Sequence, residues 1–266
     1  MKRFTLVFAS LMMLICLKVN AQNERILLFE CFTNASCGPC ASQNPALDAL
    51  INNNPDRIAA IKYHMNWPGE NDPMYLHNPA DNNARRGVYN VNSVPHTVVD
   101  GIRFSNMPSG LNQNAVNNWL NIESPFEMRL SYEVDEVANT ITVHVMGRAS
   151  EAISGNVKLY VGVIEREIHY NSAPGSNGER DFYSVMKKLL PSSSGRSFFL
   201  HLQAFPSARW RRVAILPIPS LGSWPMSTTT TSWMPLHGCR TTTRKRFTKP
   251  VCRAKISSLS MPMRPL

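Results

Sequence analysis

Two cysteines separated by Gly-Pro, Cys37-Gly38-Pro39-Cys40, stand between an apolar run and a helical pattern. A spacing of two residues at a helix start lets two sulfurs approach bonding distance. The first cysteine then lies near backbone N–H groups that lack intrahelical partners, at the positive end of the helix dipole. That environment favours thiolate, the nucleophilic form. Cys37 is the expected attacker, forming a mixed disulfide with a partner, and the more buried Cys40 is expected to resolve it. Pro39 lacks an N–H and fits the first helical turn. The pair also fits a purely structural disulfide or half of a metal site. A structural zinc needs four Cys or His ligands, and only Cys31 with His64 or His96 could join. No second CxxC is present, so neither a metal nor a cofactor is expected.

The surrounding pattern alternates strands and helices. Residues 26–32 read as a buried strand and 41–53 as a helix, with Leu47, Leu50 and Ile51 on one face and Pro45 expected to kink it. Residues 57–65 read as a second strand. Residues 66–83, broken by Pro68, Pro73 and Pro79, read as an irregular loop before a short helix at 84–89. His64, Trp67, Tyr75 and His77 on or near that loop either line a partner groove or cap the sheet edge, and the second is preferred. Residues 97–99 form a third strand, Asp100-Gly101 a hairpin turn, 102–104 the return, and 112–122 a closing helix. The order fits an α/β domain over residues 22–123.

Residues 127–134, 139–146 and 157–164 alternate apolar and polar positions, which predicts an antiparallel, Ig-like β-sandwich over 124–195. It looks incomplete, because no final strands follow the native-looking stretch 182–190. Glu165, Arg166, Glu167 and His169 read as a solvated face.

Residues 25–122 resemble thioredoxin. The resemblance rests on Cys37-Gly38-Pro39-Cys40, on Pro45 within the following helix, and on Val94-Pro95-His96-Thr97 before a strand and hairpin. A narrower resemblance rests on Glu30-Cys31-Phe32-Thr33, Tyr89-Asn90-Val91, Ser93-Val94-Pro95 and Val99-Asp100-Gly101. These look like the exported, outer membrane protein 28-related family of Bacteroidetes-type bacteria. The resemblance implies a cis Pro95 facing the disulfide, with the Val94 backbone free to pair with an extended substrate chain. It implies Cys37, Cys40 and Pro95 as the reactive set, supported by Gly38, Pro39, Glu30, Cys31, Val94 and His96. Two positions depart from thioredoxin. Cys31 stands where an acid, six residues before the first cysteine, helps move protons, and strand alternation turns the adjacent Glu30 to the other face. Ser36 stands where many relatives carry Trp. Cys31 reads as a small buried hydrophobe rather than a third redox thiol. His96 either adds a positive neighbour to Cys37 or faces solvent. The implied activity is thiol–disulfide exchange with protein thiols or disulfides. The alternative is a non-catalytic surface or outer-membrane-associated binding protein on the same scaffold.

Residues 1–21 read as an export signal: Lys2 and Arg3, an apolar stretch at 4–17, then Val19-Asn20-Ala21 before a cleavage point. The apolar stretch is shorter than the ~20 residues of a bilayer span, and no other run reaches that length. Export to the periplasm, the outer-membrane surface or the medium would let disulfides persist. The formal charge of +10 is unevenly placed: residues 1–181 carry −4, and residues 182–266 carry +14 with no acid at all. Such an acid-free stretch should arise about once in 10⁴–10⁵ windows of ordinary composition. No helical or strand period runs through 208–266. The stretch 196–266 therefore reads as an irregular tail from a shifted reading frame rather than a designed nucleic-acid or membrane surface. Nucleic acid is not an expected partner.

Overall fold

The computed structural model describes residues 24–135, 140–150, 153, 155 and 157–197, and the backbone of the strand at 211–214. The expected export segment 1–21, with Cys16, and most of the expected tail, with Cys239 and Cys252, lie outside the described residues.

Strand β1 (Leu27–Thr33) is buried at all but one position. Such a strand must be covered on both faces. It pairs in parallel with β2 (Ile58–His64) and antiparallel with β3 (His96–Val99). β3 turns through Asp100 and Gly101, both with positive φ, into β4 (Phe104–Asn106). Helix α1 (Gly38–Asn52) joins β1 to β2, and α4 (Gln113–Leu120) follows β4. Side-chain alternation along β1 sorts its residues between two cores. Leu27, Phe29 and Cys31 pack with Leu47 of α1 and Val116 of α4. Phe32 packs on the other side with Tyr63, Met65, Val98, Met186 and Leu189.

The stretch expected as an irregular loop holds α2 (Pro73–His77), and α3 (Pro79–Tyr89) begins five residues earlier than the 84–89 helix expected. Pro73 and Pro79 open these helices instead of breaking them, since a first-turn proline sacrifices no hydrogen bond. Each follows a cap: Asp72 accepts from the Met74 and Tyr75 amides, and Asn78 accepts from the Asp81 amide. Pro45 lies inside α1 without ending it.

Two of the three expected sandwich strands pair with each other. β5 (Phe126–Asp135) and β6 (Thr140–Ala149) form a long antiparallel hairpin, and β11 (Arg211–Ala214) adds to β6. The third expected strand does not join them. It divides into β7 (Lys158–Leu159), paired with β10 (Arg196–Ser197), and β8 (Val161–His169). β8 pairs with β9 (Asp181–Leu190), and β9 runs parallel to β2 through Lys62 and Val185. The result is one mixed six-stranded sheet in the order β4-β3-β1-β2-β9-β8. β9 covers what would be an open edge of β2, and it buries Val185, Met186 and Leu189 in doing so. An alternating strand declares its buried face but not which sheet edge it will extend. β10 and β11 fall within the stretch expected to be irregular. Two polar positions of β8 find partners on β9, Glu165 with Lys187 at 3.0 Å and His169 with Asp181 at 2.6 Å, while Arg166 and Glu167 are exposed. Among the described residues, no helix is long and apolar enough to cross a membrane.

Candidate functional site

Cys37 and Cys40 form a disulfide at the start of α1, with their Cα atoms 5.1 Å apart. Cys37 is the N-cap, and its Sγ accepts from the Cys40 amide at 3.1 Å. The Cys37 carbonyl accepts from Cys40 and Ala41 at 3.1 and 3.2 Å. A donor aimed at Sγ from the first helical turn is the arrangement that would stabilise a thiolate there after reduction. Gly38 and Pro39 are exposed between the cysteines. Cys40 is fully buried, and Cys37 itself keeps only 2% of its surface.

The Val94–Pro95 peptide bond is cis, and the Val94 carbonyl oxygen lies 3.6 Å from Cys37 Sγ. Sequence separation of more than fifty residues is closed by β3, whose pairing with β1 sets Pro95 beside the cysteine turn. His96 is half-buried, and its Nε2 lies 2.9 Å from Ser105 Oγ on β4. Burial lowers the pKa of His96, disfavouring its charged form. The ring thus has a hydroxyl partner on β4.

Cys31 and Glu30 face opposite sides of β1. Cys31 is buried beneath α1, opposite Thr97 on β3 and Lys62 on β2. Lys62 is ion-paired with Asp48 of α1 at 2.6 Å. Burial pushes the Cys31 thiol up to about 12, with Lys62 and the Thr97 hydroxyl pulling weakly the other way. A thiol so held is neither a ready nucleophile nor a proton carrier at neutral pH. In the reduced native protein, iodoacetamide should modify Cys37 while Cys31 reacts only after denaturation, as peptide mass mapping would show. Glu30 is absent from the cysteine site altogether. It is buried on the Phe32 face and gripped by Arg85, Tyr63 and Tyr89.

Several residues that hold the cysteine turn carried no signal that sequence reasoning used. Asp72 is one. Its carboxylate accepts from the Ala35 amide at 2.8 Å while capping α2, and His64 Nδ1 lies 2.7 Å away. Burial would raise its pKa, but His64 and the backbone donors prevail and hold it below the usual carboxylate value. A carboxyl depressed on folding adds stability above its unfolded pKa, and that stability is lost as pH falls through the folded pKa. Acid titration of the unfolding free energy should therefore decline below about pH 4, and Asp72→Asn should flatten that limb. The Asp72-Pro73 pair, a cap before a first-turn proline, was the readable signal. Asn34 is another: its side chain bridges the Met65 and Gly69 carbonyls at 2.7 and 2.8 Å and accepts from the Ser36 amide. Trp67 lies under the Arg86 guanidinium, 4.5 Å from its centre. Among the described residues, no group of three or more His, Cys, Asp or Glu is gathered as a metal site.

No family model matches the chain. No curated protein matches it either. Among solved structures, the chain is similar to HBP35 of Porphyromonas gingivalis, with a TM-score of 0.57 at 13% identity over 72% of this chain and 64% of that one. It thus spans under two thirds of the HBP35 chain, and at this identity the likeness speaks to the fold alone. A structural-genomics protein of Agrobacterium tumefaciens gives a TM-score of 0.44 at 16% identity, over 64% of this chain and 73% of that one.

Proposed function

We propose that this chain is an exported thiol–disulfide oxidoreductase on a thioredoxin-like scaffold, exchanging disulfides with protein partners through Cys37 and Cys40. The observation that carries the reading is the Cys37–Cys40 disulfide at a helix N-terminus, with a first-turn amide on Cys37 Sγ and the Val94 carbonyl beside it. In the reducing direction the Cys37 thiolate attacks one sulfur of a partner disulfide. One partner sulfur leaves as thiolate and takes a proton, and the other stays bound to Cys37. Cys40, deprotonated, then attacks Cys37 Sγ and releases the second partner thiol. Two electrons pass to the partner, and the Cys37–Cys40 bond re-forms, so turnover needs an external dithiol reductant. The reverse sequence oxidises a partner dithiol. The fold likeness to a P. gingivalis protein fits a Bacteroidetes-type family.

A second reading, a binding protein that keeps the scaffold for shape, is favoured by two observations: the low exposure of Cys37 and the buried Cys31 where an acid was expected. Trapping separates the two. The Cys40→Ser variant, offered an oxidised protein substrate, should accumulate a mixed disulfide on Cys37 that mass spectrometry locates. A Cys40→Ser protein that captures nothing would favour the binding reading. The reduction potential decides direction, since ~30 mV corresponds to ~1.4 kcal/mol for a two-electron couple.

A further inference from the structure

The loop between β8 and β9, residues 171–180, reaches back over the turn that carries Cys37. The Asn177 amide donates to the Ala35 carbonyl at 3.2 Å. The Asn177 side chain donates to the carbonyls of Asn34 at 3.3 Å and Cys37 at 3.2 Å. The Ser176 amide donates to Ser36 Oγ at 3.2 Å. Glu179 accepts from Asn177 Nδ2 at 2.5 Å and, through its other oxygen, from Asn44 Nδ2 at 2.7 Å. Asn44 lies one helical turn beyond Cys40, so the loop is fastened on both sides of the cysteine pair.

The approach is close enough to require glycine. A Cβ on Gly175 would collide with the Ala35 carbonyl and stand 2.8 Å from Ser36 Oγ. A Cβ on Gly69, from the segment after β2, would collide with the Ser36 side chain. Ser36, the residue before the attacking cysteine, is thus closed in by backbone from two separate segments. A CxxC at a helix start does not need this cover, and here Cys37 is nearly buried while Gly38 and Pro39 stay exposed.

We propose that residues 175–179 are a specificity-determining wall of the reactive site. The wall closes the Ser36 side of Cys37 and leaves the approach past Gly38, Pro39, Val94 and His96. Exchange requires the attacking sulfur and both partner sulfurs to fall in line. A disulfide in a small molecule or an extended segment can meet Cys37 along that approach. One set in a folded surface strikes the loop first. The residues of the wall act through position, because they bond the backbone of the turn and not the reacting sulfurs.

The inference rests on the redox reading above. The test compares kcat/KM of the reduced full chain for insulin, a folded protein disulfide, with that for glutathione disulfide. Asn177→Ala loosens the clasp by deleting side-chain donors, and Gly175→Ala forces the loop off Ala35. Each should raise the insulin-to-glutathione ratio about tenfold. If the loop serves only to hold the turn, both rates fall together and the ratio stays, which overturns the wall. A ratio that does not move in Asn177→Ala overturns it even if Gly175→Ala fails to fold. Absence of Cys37-dependent exchange with either disulfide in the unaltered protein would remove the redox reading and this inference with it.

Discussion

Replacing Glu30 by alanine should destabilise the protein by about 3–5 kcal/mol, the usual cost of leaving one member of a buried ion pair alone. Glu30 is 1% exposed and Arg85 is 9% exposed. The guanidinium meets the carboxylate through two bonds, Nε to Oε1 at 2.5 Å and Nη2 to Oε2 at 2.8 Å. Tyr63 donates to the same carboxylate at 3.1 Å, as does Tyr89. The Arg85 guanidinium also lies over the rings of Tyr89 and Tyr160, at 4.9 and 4.8 Å. Burial alone would press Arg85 towards neutrality, and Glu30 instead holds it charged. Alanine at position 30 would leave a buried cation and two hydroxyls without their acceptor. Urea unfolding should show a lower midpoint with an unchanged slope. The double variant Glu30→Met/Arg85→Met should recover much of the loss, because it removes both charges together. A single-variant loss under ~1 kcal/mol would mean that water reaches the pair.

Cys37→Ser should remove all dithiol-dependent insulin reduction, down to the rate without protein. A serine hydroxyl at the N-cap still accepts the Cys40 amide, so the helix start is preserved. It forms no mixed disulfide, so the exchange has no first step. Cys31→Ser should leave turnover in place, since that thiol lies beneath α1 and its pKa stands near 12. Residual turnover in Cys37→Ser would point to another thiol of the chain.

The cysteine turn was legible because its chemistry is local. The spacing of Cys37 and Cys40, the proline at 39 and the apolar strand before them suffice to place two sulfurs at a helix start. The opposite facing of Cys31 and Glu30 was legible for the same reason, as consecutive residues of a strand must diverge. The turn at Asp100-Gly101 likewise followed from two residues. Pro73 and Pro79 were misread because proline marks a break or a first turn with equal force, and the caps at Asp72 and Asn78 decide which.

The sequence by itself determined the close cysteine pair and the strand faces, since each depends on neighbours within a turn or a pleat, whereas Pro95 was placed beside that pair only through the resemblance to thioredoxin. Only the tertiary structure decided where the second half of the chain goes. Residues 157–164 alternate as a sandwich strand would, and nothing local in β8 or β9 favours the edge of β2 over the β5–β6 hairpin. That choice is made by Met186 and Leu189 filling the core against Tyr63 and Met65, and by Val185 packing against Ala35, Met74 and Phe182. It carries the 171–180 loop onto the cysteine turn, where Asn177 meets a carbonyl 140 residues away in sequence. Contacts at that range depend on which sheet edge is covered, and hydrophobic periodicity holds no record of it.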